Sequence, residues 1–77
     1  MDKTKDAFLK SLGERIAILR EAQGLSQTQV GTDCDKDRQS INRLEKGNVN
    51  PSIFYLYQIS KALNVTLSEL LNSKDLL

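Results

Sequence analysis

Apolar residues recur at helical spacing through most of this chain. Phe8, Leu12, Ile16 and Leu19 fall on one face of a helix. Lys10, Glu14, Arg15 and Glu21 are its polar complement, and Asp6–Lys10 and Lys10–Glu14 are opposite charges four residues apart. Gly24 follows where a C-terminal stop belongs, so the pattern predicts a first helix from about Asp6 to Gln23. Ser26-Gln27-Thr28-Gln29 has the form of a capping box. It opens a second helix of about two turns, with Val30 and Cys34 inward, ending near Asp33–Cys34. Asp35 and Lys36 form the turn, because Asp tolerates a left-handed backbone better than most residues. Asp37 caps a third helix with Ile41 and Leu44 as its inward pair, and Gly47 closes it. Gly47-Asn48-Val49-Asn50-Pro51 is a loop. Ser52 then leads a fourth helix marked by Ile53, Leu56, Ile59 and Leu63 and ended by Asn64; Tyr55 and Tyr57 read as packing residues within it. A second capping box, Thr66-Leu67-Ser68-Glu69, opens a short fifth helix through Leu71. There is no repeat, low-complexity stretch or strand-like alternation, so the fold class is all-α with five helices.

Length and composition narrow the chemistry. The chain has 77 residues, which fits a single domain over 1–77 with a short tail at 72–77. An apolar fraction of 39% is too high for a disordered chain. His is absent and Cys34 is the only cysteine. That removes Ser-His-Asp and Cys-His constellations, His-based metal sites and internal disulfides, so no enzyme is expected. Cys34 reads as a small buried hydrophobe. Asp33-x-Asp35-x-Asp37 fails as a calcium loop, because Arg38 and Leu44 stand where the Gly and the bidentate Glu are needed. No metal, cofactor or small-molecule ligand is expected. No apolar run approaches the ~18 residues of a membrane span. The start, Met-Asp-Lys-Thr-Lys-Asp, does not lead into a secretory core, so a cytoplasmic, membrane-free chain is expected.

The stretch of about 26–46 meets the demands of two short helices joined by a tight turn. Gly31 supplies a small residue where the helices cross, and Ile41 and Leu44 anchor the later one. Placing residues 100° apart puts Gln39, Asn42, Arg43 and Lys46 opposite the anchors, with Arg38 at the leading end. Leu12-Gly13-Glu14-Arg15-Ile16, Leu19-Arg20, Gly24-Leu25-Ser26-Gln27, Ser40-Ile41-Asn42-Arg43-Leu44-Glu45-Lys46-Gly47, Asn50-Pro51-Ser52 and Ala62-Leu63-Asn64-Val65 occur in order. In these pieces the chain resembles the Cro and repressor type helix-turn-helix domain, also called the xenobiotic-response-element family. The resemblance covers about three-quarters of the chain. It implies a five-helix, lambda-repressor-like DNA-binding domain and a transcriptional regulator that places its third helix in the major groove of double-stranded DNA. It also implies that Gln27 opens the second helix on a DNA phosphate, and that Asp37, Arg38, Gln39 and Arg43 lie on the groove side. Arg20 would pair with Glu45 as a structural ion pair. One departure is Asp35, where the family's turn usually has Gly.

Base reading is expected of Arg38, Gln39, Asn42 and Arg43. Gln can pair with adenine N6 and N7, and Arg with guanine O6 and N7. Phosphate contacts are expected of Gln27, Thr28, Ser40, Lys46, Asn48 and Asn50, which would set register rather than sequence. The formal net charge is only +1, so attraction to DNA must come from local convergence of cations. One module this small buries roughly 600–1,000 Å² on DNA, which argues for a homodimer reading half-sites about 34 Å apart. Leu67, Leu70, Leu71, Leu76 and Leu77 are the expected dimer surface. With no second domain expected to sense a ligand, the resemblance points to Cro-like phage proteins, restriction–modification controllers or antitoxin-type repressors. The alternative is a helical protein-interaction module that has lost DNA binding, favoured by the near-zero charge and three aspartates.

Overall fold

A computed structural model describes residues 3–73 and 76. Five helices follow in order: α1 (Lys3–Ala22), α2 (Gln27–Asp33), α3 (Arg38–Glu45), α4 (Ile53–Ala62) and α5 (Leu67–Leu71). Each of α2 to α5 starts where the sequence places a cap. The Ser26 hydroxyl accepts from the Gln29 N–H at 3.0 Å while the Gln29 side chain accepts from the Ser26 N–H at 2.7 Å. The same reciprocal pair joins Thr66 and Glu69. Asp37 accepts from the Ser40 N–H at 2.8 Å, and Ser52 accepts from the Tyr55 N–H at 3.0 Å. These side chains satisfy amides that the first helical turn leaves without partners.

The first four helices end alike. Gly24, Asp35, Gly47 and Asn64 adopt left-handed backbone, at φ 69°, 58°, 77° and 61°. The following N–H reaches back to a carbonyl of the last turn in each case: Leu25 to Arg20, Lys36 to Gly31, Asn48 to Arg43 and Val65 to Ser60. This is the Schellman ending. Asp35 therefore performs the turn that Gly performs elsewhere in the chain, without altering its hydrogen bonds.

Leu12, Ile16, Val30, Cys34, Ile41, Leu44, Leu56, Ile59, Leu63 and Leu70 form one core. Three expectations about facing need correction. Leu9, not Phe8, turns inward on α1, and Phe8 is exposed. Ile53 lies at the outer edge of α4, also exposed. Tyr57 is exposed beside Phe54, with ring centroids 6.3 Å apart, whereas Tyr55 packs against the core. The Lys36 ammonium sits 5.0 Å from the Tyr55 ring centroid, tying the α2–α3 turn to α4. α1 begins at Lys3, earlier than its apolar face suggests.

Two glycines mark backbone approaches. A methyl group at Gly31 would lie 2.7 Å from the Lys36 carbonyl oxygen, which places the crossing at the turn itself. At Gly13 it would lie 2.3 Å from the Glu45 carbonyl oxygen, so α1 rests directly on the end of α3. Arg15 donates to the Glu69 and Leu70 carbonyls at 2.8 and 3.4 Å, and Gln23 donates to the Leu63 carbonyl. α1 thereby grips the α4–α5 end of the molecule as well as α3.

Candidate nucleic-acid interface

α3 is divided along its length. Ile41 and Leu44 are 0% and 1% exposed, which fixes the helix by one edge. Arg38, Gln39, Arg43 and Lys46 stand exposed on the other side. Burial of the apolar pair orients the helix, and the polar side chains point outward because nothing packs over them. Their heads are held by no hydrogen bond or ion pair within the protein among the described residues.

A polar network fixes the angle between α3 and its neighbours. Arg20 donates from Nε to Glu45 Oε2 at 2.6 Å and from a terminal nitrogen to Oε1 at 3.1 Å. It also donates to the Leu25 carbonyl at 2.9 Å. The hydrogen bond to the Glu45 carboxylate holds the Arg20 guanidinium above its ordinary pKa, against the opposing effect of burial. Gln27 then donates from Nε2 to Glu45 Oε1 at 2.9 Å and to Asn42 Oδ1 at 3.2 Å. One chain of contacts joins α1, the start of α2 and α3.

This network engages two side chains that the sequence assigns to DNA. The Gln27 amide has two N–H donors, and both are taken, so its side chain has none for a phosphate. The Gln27 backbone N–H has no carbonyl to donate to within the first turn of α2. Asn42 is half-buried with its amide oxygen on Gln27, on the flank of α3 that faces α2. Through this contact it braces the two helices. Thr28 is exposed and Ser40 half-buried, the latter with its N–H on the Asp37 carboxylate.

The loop after α3 adds a second cluster. Lys46, Asn48 and Asn50 border an open groove of about 530 Å³ together with Lys5 and Lys10 of α1. α1 is brought there by Gly47, where a methyl group would lie 2.7 Å from the Lys10 Cα. Lys10 was legible in the sequence only as a member of charge pairs along α1. Nothing short of the Gly47 approach places it beside Lys46.

Leu70, expected on a dimer surface, is 0% exposed and belongs wholly to the core of its own chain. Leu67, Leu71 and Leu76 are half-buried and pack against that core. Leu77 lies outside the described residues. Cys34 is buried, and burial raises its thiol pKa and keeps it protonated. Among the described residues no cluster of three or more His, Cys, Asp or Glu side chains is placed to hold a metal ion. No helix among them is long and apolar enough to cross a membrane.

A buried-edge helix with an open polar strip, braced on a shorter helix across a tight turn, defines a helix-turn-helix domain. The helix-turn-helix family model matches residues 16–70, and the chain belongs to that family. It is 35% identical over 66 residues to an uncharacterized HTH-type transcriptional regulator, y4dJ, of Sinorhizobium fredii, covering 86% of each chain. It is 39% identical over 59 residues to the control protein C.MunI of a Mycoplasma species, covering 75% of this chain and 80% of that protein. Among solved structures, the restriction-modification controller protein C.AhdI from Aeromonas hydrophila superposes with a TM-score of 0.77 at 32% identity. That match covers 80% of this chain and 94% of the controller. The family is one of DNA-binding regulators rather than enzymes.

Proposed function

We propose that this protein regulates transcription by reading double-stranded DNA as a two-fold homodimer, with α3 of each copy in a major groove. The observation that carries this reading is the exposed strip of Arg38, Gln39 and Arg43 beside the enclosed Ile41 and Leu44. A helix fixed by one edge and open along the other is what the major groove admits. Gln39 pairs with an adenine, and Arg38 and Arg43 pair with guanines or with phosphates at the groove edge. The backbone amides of Gln27 and Thr28 and the side chains of Lys46, Asn48 and Asn50 hold phosphates and set register. Lys10 joins that second group. With a net charge of +1, binding rests on these local cations and not on a basic field.

The likeness to controller proteins supports placement among small regulators of this kind, acting in the cytoplasm and without a catalytic role of its own. The protein-interaction alternative is disfavoured by the same open strip, which has no apolar centre for a protein partner to cover.

Selection of bound sequences from a random DNA pool, followed by mobility shift at two salt concentrations, tests the reading. A two-fold symmetric site is expected, with affinity falling as salt rises at a slope near 0.9 per phosphate neutralised. Recovery of no enriched sequence, with no retarded band at low salt, overturns it.

A further inference from the structure

Asn42 stands at the boundary between the open strip of α3 and the flank that meets α2. It is half-buried, and Arg38, Gln39 and Lys46 are its exposed neighbours three or four residues away. Its amide oxygen accepts from Gln27 Nε2 at 3.2 Å, while its own nitrogen, Nδ2, bonds to no described residue. The two ends of an amide have nearly the same shape, so the partners decide which way round it sits.

Here they decide it through a chain that begins at Arg20. Arg20 donates to both oxygens of Glu45, at 2.6 and 3.1 Å. A carboxylate only accepts, so Gln27, 2.9 Å from Glu45 Oε1, has to present its nitrogen and not its oxygen. The same nitrogen reaches Asn42, which has to answer with its oxygen. Turning Asn42 over would set two NH2 groups against each other. The buried ion pair thus fixes the polarity of a side chain two hydrogen bonds away and leaves Nδ2 as the end not spent on α2.

We infer that Asn42 determines specificity as a donor: it offers Nδ2 to DNA, and the base it selects is guanine. This rests on the reading of α3 proposed above. In the major groove guanine presents two acceptors, N7 and O6, whereas cytosine presents the N4 donor. An outward NH2 meets the first and opposes the second. Thymine offers one acceptor beside a methyl group. Adenine is recognised through both ends of an amide, and one end of Asn42 is engaged by Gln27. Gln27 is then a positioning residue, which touches no base through its side chain and determines which end of Asn42 does.

Two measurements test this, the first without DNA. Exchange of side-chain amide protons with water, followed by NMR on the isotope-labelled full chain, should be slow for the Gln27 NH2 and fast for the Asn42 NH2. Equal rates, or slow exchange at Asn42 alone, overturn the inference. The second is selection from a random DNA pool with the parent and with Asn42→Asp. That variant keeps one oxygen for Gln27 and turns the other outward, so the brace is retained and the polarity reversed. One position of the half-site should change from guanine to cytosine. The ratio of affinities for the guanine and cytosine versions should move by about tenfold to a hundredfold, and the added negative charge, which weakens both alike, cancels from it. Gln27→Met releases Asn42 to sit either way, so the same position should broaden to guanine and adenine. Circular dichroism should show both variants as helical as the parent. An Asn42→Asp variant that selects the parent's sequence with a uniform loss of affinity overturns the inference and leaves the functional reading standing. A parent chain that enriches no sequence overturns both.

Discussion

Arg20 of α1 and Glu45 of α3 share a two-point contact while their side chains are only 12% and 7% exposed. The carboxylate is also the acceptor for Gln27, so three helices converge on one buried charge pair. Removing Arg20 leaves the Glu45 carboxylate enclosed without a cation, and removing Glu45 leaves the Arg20 guanidinium with only the exposed Glu21 carboxylate at 3.8 Å. Arg20→Ala and Glu45→Ala are each expected to cost about 3 kcal/mol in urea unfolding. Replacing both together by Met and Leu should cost less than either single change. A loss that simply adds across the two sites would contradict the coupling.

Asp35 holds left-handed backbone at φ 58°, a conformation that disfavours side chains. Asp35→Gly keeps the Lys36-to-Gly31 hydrogen bond and relieves that cost. It should stabilise the chain by about 1 kcal/mol in denaturant melts. The variant also removes one negative charge beside the edge proposed to face DNA, so its affinity for DNA should rise at low salt and converge with the parent's at high salt.

Gly13 is expected to tolerate no side chain. A methyl group there meets the backbone of Glu45 and Leu44, which cannot rotate away as a side chain would. Gly13→Ala should lower the melting temperature despite the better helix propensity of Ala. An increase in melting temperature would show that α1 and α3 are further apart than described.

Base and phosphate contacts separate by their response to sequence. Gln39→Ala should cost about 1–3 kcal/mol on the selected site and relax preference at one base position. Lys46→Ala and Lys10→Ala should weaken every sequence alike and reduce the salt slope by about 1 each. Uniform loss from Gln39→Ala would remove it from the readers.

Acid should loosen two helix starts. The Ser40 backbone N–H holds the Asp37 carboxyl below its ordinary pKa, and the Thr66 backbone N–H does the same for Glu69. A carboxyl with a lower pKa in the folded state binds fewer protons there than in the unfolded chain. The stabilisation is therefore complete above the unfolded carboxylate range, near pH 4, and disappears as pH falls through the folded values. Urea melts between pH 7 and pH 2.5 should show this decline, and Asp37→Asn, which still caps, should show a shallower one.

Much of this was legible because helix ends are local events. Ser26, Asp37, Ser52 and Thr66 act within three residues of themselves, and their signals survive any tertiary arrangement. The inward face of α1 was not. Phe8 lies four residues before Leu12 and Leu9 lies three before it, so helical spacing accepts either. The choice is made by the Gly47 backbone, which comes close to Leu9 and Lys10. The bracing role of Asn42 was hidden for a similar reason, since its partner Gln27 is fifteen residues away on another helix. Leu70 misled because composition counts apolar residues without saying which core they fill.

The outward side chains of α3 carry no weight in holding the molecule together, and the inward ones never meet solvent. The proposed recognition surface is thus written in letters that the scaffold does not need. Exchanging Arg38, Gln39 and Arg43 for another trio should redirect the protein to a new operator at little thermodynamic expense, which is how one architecture comes to serve many genetic switches.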